Sequence, residues 1–168
     1  MAETDIFKYS TNERLSKMDV DLIDVATVAD TEAHADGDVI VQSVEIPNAA
    51  SVEGGSGIIQ SIMLLDADDE APAVDIVFSS NNTDLASGSG EPVNISDANA
   101  ASLYGFVNVS NYTDLIGCQM ATKTNIGMVF KASSGTRSIY MHIINRSGGT
   151  YTNAGSGDLK LRIGIVKD

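Results

Sequence analysis

One segment near the end of the chain constrains the fold more than any other. In Leu159-Lys160-Leu161-Arg162-Ile163-Gly164-Ile165 every odd-numbered residue is aliphatic and every even-numbered one is Lys, Arg or Gly. Alternation with a period of two gives an extended segment one apolar and one polar face, a pattern that suits a strand and not a helix. Other short apolar segments, broken by turn residues, lie at 20–28, 38–46, 58–65, 74–78, 106–109, 115–120, 126–130 and 138–145. In 38–46, Val44 and Ile46 share one face while Ser43 and Glu45 share the other. Between these segments stand Asp36-Gly37-Asp38, Gly54-Gly55-Ser56-Gly57, Ser87-Gly88-Ser89-Gly90, Gly148-Gly149 and Gly155-Ser156-Gly157. Such runs let a backbone take positive φ and turn back.

One helix is expected, opening at Ser96. Ser96 is a good N-cap, Asp97 meets the positive end of the helix dipole, and Gly105 offers a stop after two or three turns. Short strands at regular spacing with a single helix in a crossover predict an all-β chain: a single β-sandwich, with the jelly roll among its candidate topologies. Helix–strand alternation, which a doubly wound fold needs, is missing. Residues 1–18 carry Ile6, Phe7, Tyr9, Leu15 and Met18 with neither period, and read as an N-terminal arm ahead of a sandwich domain at 19–168. At 168 residues the chain is long enough for one self-sufficient core. Its single Cys rules out a disulfide framework within the chain. No apolar run approaches the roughly 20 residues of a membrane helix, and the opening residues lack a signal-like apolar stretch.

Charge narrows the choice of partner. Residues 1–70 hold sixteen Asp or Glu against three Lys or Arg, whereas residues 71–168 hold seven of each. Binding to phosphates requires clustered Lys and Arg, so nucleic acid and anionic membrane are not expected partners. The acidic half reads as a solvated face, with docking on a basic protein as the sharper alternative.

Chemistry is sparse. Asp66-Ala67-Asp68-Asp69-Glu70 invites a calcium reading, but an EF-hand loop starting at Asp66 would need Gly and Glu where Ala71 and Val77 stand, leaving a solvated hairpin turn as the better account. Gly117-Cys118-Gln119-Met120-Ala121-Thr122-Lys123-Thr124 departs from a phosphate-binding loop at Thr122, and Lys123 reads as the surface end of a strand. Only His34 and His142 could serve as bases. His142 reads as a strand packing residue that Cys118 could meet only by accident of folding, and His34 as part of a surface loop. Two His and one Cys without paired spacing do not make a zinc site. Asn-x-Ser/Thr triplets begin at Asn81, Asn94, Asn108, Asn111 and Asn145, and reflect an Asn- and Ser-rich β protein more than glycosylation. No catalytic residue, metal or cofactor is expected, and the chain reads as non-enzymatic.

Three stretches carry a resemblance. They are Asp30-Thr31 with Ala35-Asp36-Gly37-Asp38-Val39, Gly54-Gly55-Ser56-Gly57-Ile58-Ile59-Gln60-Ser61-Ile62, and Leu64-Leu65-Asp66-Ala67-Asp68-Asp69. Ile95-Ser96-Asp97-Ala98-Asn99-Ala100, Ala121-Thr122-Lys123-Thr124-Asn125-Ile126-Gly127 and Leu159-Lys160-Leu161-Arg162-Ile163-Gly164 continue it in order. Across about 20–166 the chain resembles small structural proteins encoded among the head genes of tailed bacteriophages. The motifs are turn and strand patterns, not catalytic signatures. The resemblance implies a capsid decoration or cement protein, made in the bacterial host cytoplasm and placed on the outer capsid surface of the virion. Its implied partners are the major capsid protein and further copies of itself, as a homotrimer. Within that reading Ile6, Phe7 and Tyr9 are the anchoring side chains, because apolar groups in a polar arm need a surface to cover them. A phage tail or fibre module binding carbohydrate or another virion protein is the alternative, although the chain has no Trp to form a sugar platform.

Overall fold

The structure is a computed structural model and describes residues 19–25, 31–155 and 157–167. The arm at 1–18, with Ile6, Phe7 and Tyr9, lies outside the described residues. Eight long strands build the fold: β1 (Asp19–Val25), β3 (Val39–Ile46), β4 (Ser56–Asp66), β5 (Val74–Ser79), β6 (Leu103–Val109), β8 (Gln119–Lys131), β9 (Ile139–Asn145) and β11 (Leu159–Lys167). Two-residue strands β2 (Ala33–His34), β7 (Thr113–Asp114) and β10 (Tyr151–Thr152) fill the gaps in the numbering, and a single helical turn, α1 (Asp97–Ala100), lies between β5 and β6.

Pairing among the long strands is nested. The first pairs with the last (β1 with β11), the second with the next to last (β3 with β9), then β4 with β8 and β5 with β6, all antiparallel. Two further ladders, β11 with β4 and β9 with β5, roll this ribbon into a five-stranded sheet ordered β1-β11-β4-β8-β7 and a four-stranded sheet ordered β3-β9-β5-β6. That order is the jelly roll, so the expected all-β sandwich is the observed one.

Alternation builds the core. Ile62 and Leu64 of β4 and Leu161, Ile163 and Ile165 of β11 face Ile76 and Phe78 of β5 and Met141 and Ile143 of β9, all fully or almost fully buried in one cluster. Burying an aliphatic or aromatic side chain of this size contributes about 1.5–3 kcal/mol, which makes this shared layer the main stabilising term. Gly57 of β4 is required by packing: a Cβ there would lie 2.6 Å from Cζ of the core Phe130 and 2.9 Å from the Val166 carbonyl oxygen.

Residues 80–102 cover the outer side of the four-stranded sheet. Leu85 and Ala86 from this crossover pack with Val39, Val77 and Ile144 in a second apolar cluster. Gln42 clamps it, its Oε1 accepting from the Leu85 and Ala86 N–H groups at 3.1 and 3.0 Å and its Nε2 donating to the Ala86 carbonyl at 3.2 Å. This explains why β9 is buried on both faces.

Several expectations change. The Ser96 cap holds, its Oγ accepting from Asn99 N–H at 3.2 Å, but the helix is one turn long and Gly105 does not end it. Gly105 lies inside β6 opposite Phe78, because pairing with β5 captures the chain from Leu103 onward. The turn at 67–73 is not a hairpin, since β4 and β5 belong to different sheets and the segment crosses between them. Residues 115–118 form a turn, and β8 runs from Gln119 to Lys131 with a bulge at 125–127, so Lys123 sits within a strand and not at its end. His34, expected on a surface loop, is fully buried where β2 pairs with Tyr151 of β10.

Candidate interaction surface

The jelly roll leaves the outer face of the five-stranded sheet in a different state from that of its partner sheet. Inward-pointing residues there alternate with outward-pointing ones, and the register aligns the latter into rows. Val20 lies opposite Val166, Val166 opposite Ile58, and Ile58 opposite Val129. The next row toward the other end of the sheet is Leu22, Gly164, Ser61 and Thr124, and the one after it Asp24, Arg162, Met63 and Thr122. The face thus grades from aliphatic to polar. Val20 at one end of the first row is 73% exposed and Val129 at the other 68%, with Ile58 and Val166 half-buried between them, and Leu22 in the next row is 59% exposed.

At the polar end Arg162 Nε donates to Asp24 Oδ1 at 2.5 Å, and this bond holds the Asp24 carboxyl below the usual carboxylate range. Beside the pair a groove of about 400 Å³ runs over the aliphatic parts of Val25, Met63, Leu65 and Leu161, with Lys160 at its rim. At the opposite flank β7 and β8 meet in the turn Leu115-Ile116-Gly117-Cys118. Ile116 is 97% exposed and takes a left-handed φ of +61°, with its N–H donated to Asp114 Oδ1 at 2.8 Å. A β-branched residue in that region costs about 1–3 kcal/mol of backbone strain, which a residue with no packing of its own does not recover within the fold.

The residues singled out for chemistry are accounted for structurally. His142 is buried; its Nδ1 accepts from Ser43 N–H at 3.0 Å and its Nε2 lies 3.2 Å from Ser79 Oγ. Ser79 Oγ donates to the Asn81 carbonyl at 2.9 Å, so Nε2 must carry the proton and donate to the hydroxyl oxygen. A base that activates a hydroxyl needs the reverse arrangement. Burial pushes the His142 pKa down to about 4. Cys118 precedes β8 in the other sheet, and the structure does not bring it to His142.

Asp66 is also fully buried, and burial, with the Asp68 carboxyl adding to it, pushes its pKa up to about 6. It accepts the N–H groups of Ala71 at 2.5 Å and Asp68 at 3.3 Å, while Asp68 Oδ2 accepts from Ala154 N–H at 2.7 Å. These bonds fasten the sheet-crossing segment. Among the described residues no three or more His, Cys, Asp or Glu side chains converge as metal ligands would, and no helix is long and apolar enough to cross a membrane. Asn145 is buried and donates to the His34 and Gly149 carbonyls at 2.8 and 3.0 Å, which takes that glycosylation triplet out of reach.

No protein-family profile matches the chain, and no curated protein does. Among solved structures, the chain is similar to one from a full particle of Israeli acute paralysis virus heated to 63 degrees, at 13% identity and a TM-score of 0.26 over 99% of this chain and 81% of that one. It is also similar to a chain of infectious bursal disease virus, Gt strain, at 9% identity and a TM-score of 0.20 over 89% of this chain and 41% of that one. Likeness at this level fixes neither family nor role. The architecture rests on the strand order itself: this is an antiparallel jelly roll with one sheet face covered by its own crossover and the other exposing an aliphatic row.

Proposed function

We propose that the chain is a non-enzymatic structural protein of a virion, a decoration or cement protein that binds the outer surface of a tailed-phage head and ties major capsid subunits together. The observation that carries this reading is the cross-strand aliphatic row of Val20, Val166, Ile58 and Val129, open to water at its two ends and half-buried in the middle. Large exposed apolar groups arranged in a line mark a surface that another protein covers. A jelly roll hosts capsid, lectin and cupin chemistry alike, so the fold alone does not choose among them. The choice of the shell follows from the phage head-protein resemblance, and the acidic first 70 residues suit a protein that works beside a nucleic-acid container without binding its contents.

Packaged DNA presses outward on a shell, and an adhesive clamp spanning neighbouring subunits opposes their separation. Several weak contacts suffice when all must open together. In this reading residues 1–18 form an arm that adds grip through Ile6, Phe7 and Tyr9, while 19–168 is the sandwich domain and the working unit is a homotrimer.

The test is co-sedimentation of purified protein with expanded heads stripped of their decoration. Saturable binding to the outer surface, reduced when residues 1–18 are removed, is the expected result. Absence of binding to heads, together with binding to isolated tails or to a glycan array, would replace the reading with the fibre-module alternative.

A further inference from the structure

Two features of the five-stranded sheet complement each other. One is a knob: Leu115 and Ile116 at the tip of the β7–β8 hairpin, with Ile116 almost wholly exposed in a strained left-handed conformation and Asp114 exposed at its base. The other is a hollow: the groove over Met63, Leu65 and Leu161, with Lys160 exposed on its rim. The groove is near the small end of ligand-binding pockets, which span roughly 300–1,000 Å³, and its floor is aliphatic. The hollow's charged lining is Lys160 and the Arg162–Asp24 pair, a net positive charge that complements the carboxylate beside the knob.

A molecule cannot fill its own groove with its own knob. Thr113, Met120, Leu65 and Lys160 lie in one row across β7, β8, β4 and β11, so knob and hollow sit at the same end of the sheet but on opposite flanks. Three strand spacings, about 14 Å, separate β7 from β11. From this we infer that the β7–β8 tip of one copy inserts into the groove of a second copy, with Asp114 of the first against Lys160 of the next. The contact is head to tail: each copy offers a knob on one flank and a hollow on the other, so association closes into a ring or grows into a chain. It rests on the self-association in the reading above and names its interface; it requires no shell, so head binding can persist where the knob-and-hollow contact fails, whereas a monomeric wild type would remove the homotrimer as well.

Light scattering on a size-exclusion column, without heads, tests it. Wild-type protein should run as an oligomer. Ile116→Asp, which places a carboxylate in the apolar hollow, should weaken association by about 30-fold or more, the scale of losing a buried anchor. Met63→Glu should do the same from the groove side by adding a negative charge where Asp114 approaches. Circular dichroism confirms that both variants fold. Mixing the two is decisive, because one intact knob and one intact hollow remain and a 1:1 pair should form that goes no further. In a second arm, Lys160→Cys should cross-link to the native Cys118 of a neighbouring copy under mild oxidation, and Lys160→Ser should not. A monomeric wild type, an Ile116→Asp variant with wild-type assembly, or a mixture that stays monomeric overturns the proposal.

Discussion

Ser43 and His142, ninety-nine positions apart in the chain, meet across β3 and β9: the Ser43 amide donates to His142 Nδ1 at 3.0 Å, from a backbone position with φ of +54°. The register shift between Val41 and Val44 sits at this point, so the ring fills the hydrogen-bonding gap that the irregularity opens. A neutral imidazole is needed, because Nδ1 must keep its lone pair.

The consequence is a pH dependence of defined sign. The folded pKa of His142 is pushed down to about 4, below the ordinary 6.5, so the unfolded chain takes up the proton first. Stability from this group is fully present above pH 6.5 and is lost as pH falls toward 4, by roughly 3 kcal/mol at most. Asp66 acts oppositely: its folded pKa is raised to about 6 from 3.8, so its contribution is present below 3.8 and is lost as pH rises through 6. Urea unfolding at a series of pH values should therefore show a shallow profile for the wild type. His142→Asn should expose the Asp66 slope, with stability falling as pH rises from about 4 to about 6. A His142→Asn profile parallel to wild type would show that the imidazole does not titrate as described.

Gln42 supplies three hydrogen bonds to the crossover at Leu85 and Ala86. Gln42→Ala should speed amide exchange at Leu85 and Ala86 while leaving β4 and β11 protected, because the crossover packs on the outside of the main core. The overall cost is about 1–3 kcal/mol, the penalty for unpaired groups in a partly buried site. Exchange rates followed by mass spectrometry or NMR check the locality of the effect.

Gly57→Ala should destabilise the core despite adding only one methyl. The new Cβ would lie 2.6 Å from Phe130, whose ring is itself locked in the sandwich. Overpacking of this kind costs about 1–3 kcal/mol, equivalent to a fall in Tm of several degrees for a domain of this size. Differential scanning calorimetry is the appropriate measurement.

Charging the aliphatic row separates adhesion from folding. Val20→Asp combined with Val129→Asp alters two side chains that are 73% and 68% exposed, so the unfolding midpoint should hardly move. Binding to stripped heads should fall by at least about tenfold, as expected when apolar anchors at an interface are replaced by charges. Undiminished binding would shift the contact to another face.

The strands were readable wherever one face is buried and the other is wet. Leu159 to Ile165 alternates without exception because β11 is flanked on both sides within the five-stranded sheet, with its even-numbered residues on the open face. Reading failed where that condition failed. Thr122, Lys123 and Thr124 broke the pattern of β8 into two pieces, although the ladder to β4 carries the strand through them. Leu115 and Ile116 looked like strand residues by composition but occupy a turn, since propensity cannot register a left-handed isoleucine. His34 lies in a two-residue strand, too short for any period, and is buried among segments distant in the chain, with Tyr151 paired to it and Asn145 donating to its carbonyl. The interaction surface was the least legible part. Val20, Ile58, Val129 and Val166 become a row only through register across four strands, which no local pattern encodes.

The nested pairing has a consequence for biosynthesis. β11, made after every other described strand, belongs in the middle of its sheet, wedged between β1 and β4, which were made long before it. Until it arrives, both of those earlier segments display open hydrogen-bonding edges, and the sandwich cannot close from its leading end. Closure of the sandwich therefore waits for a slow, long-range step, and a nascent chain halted before residue 159 would be a sticky intermediate, not a smaller version of the finished fold.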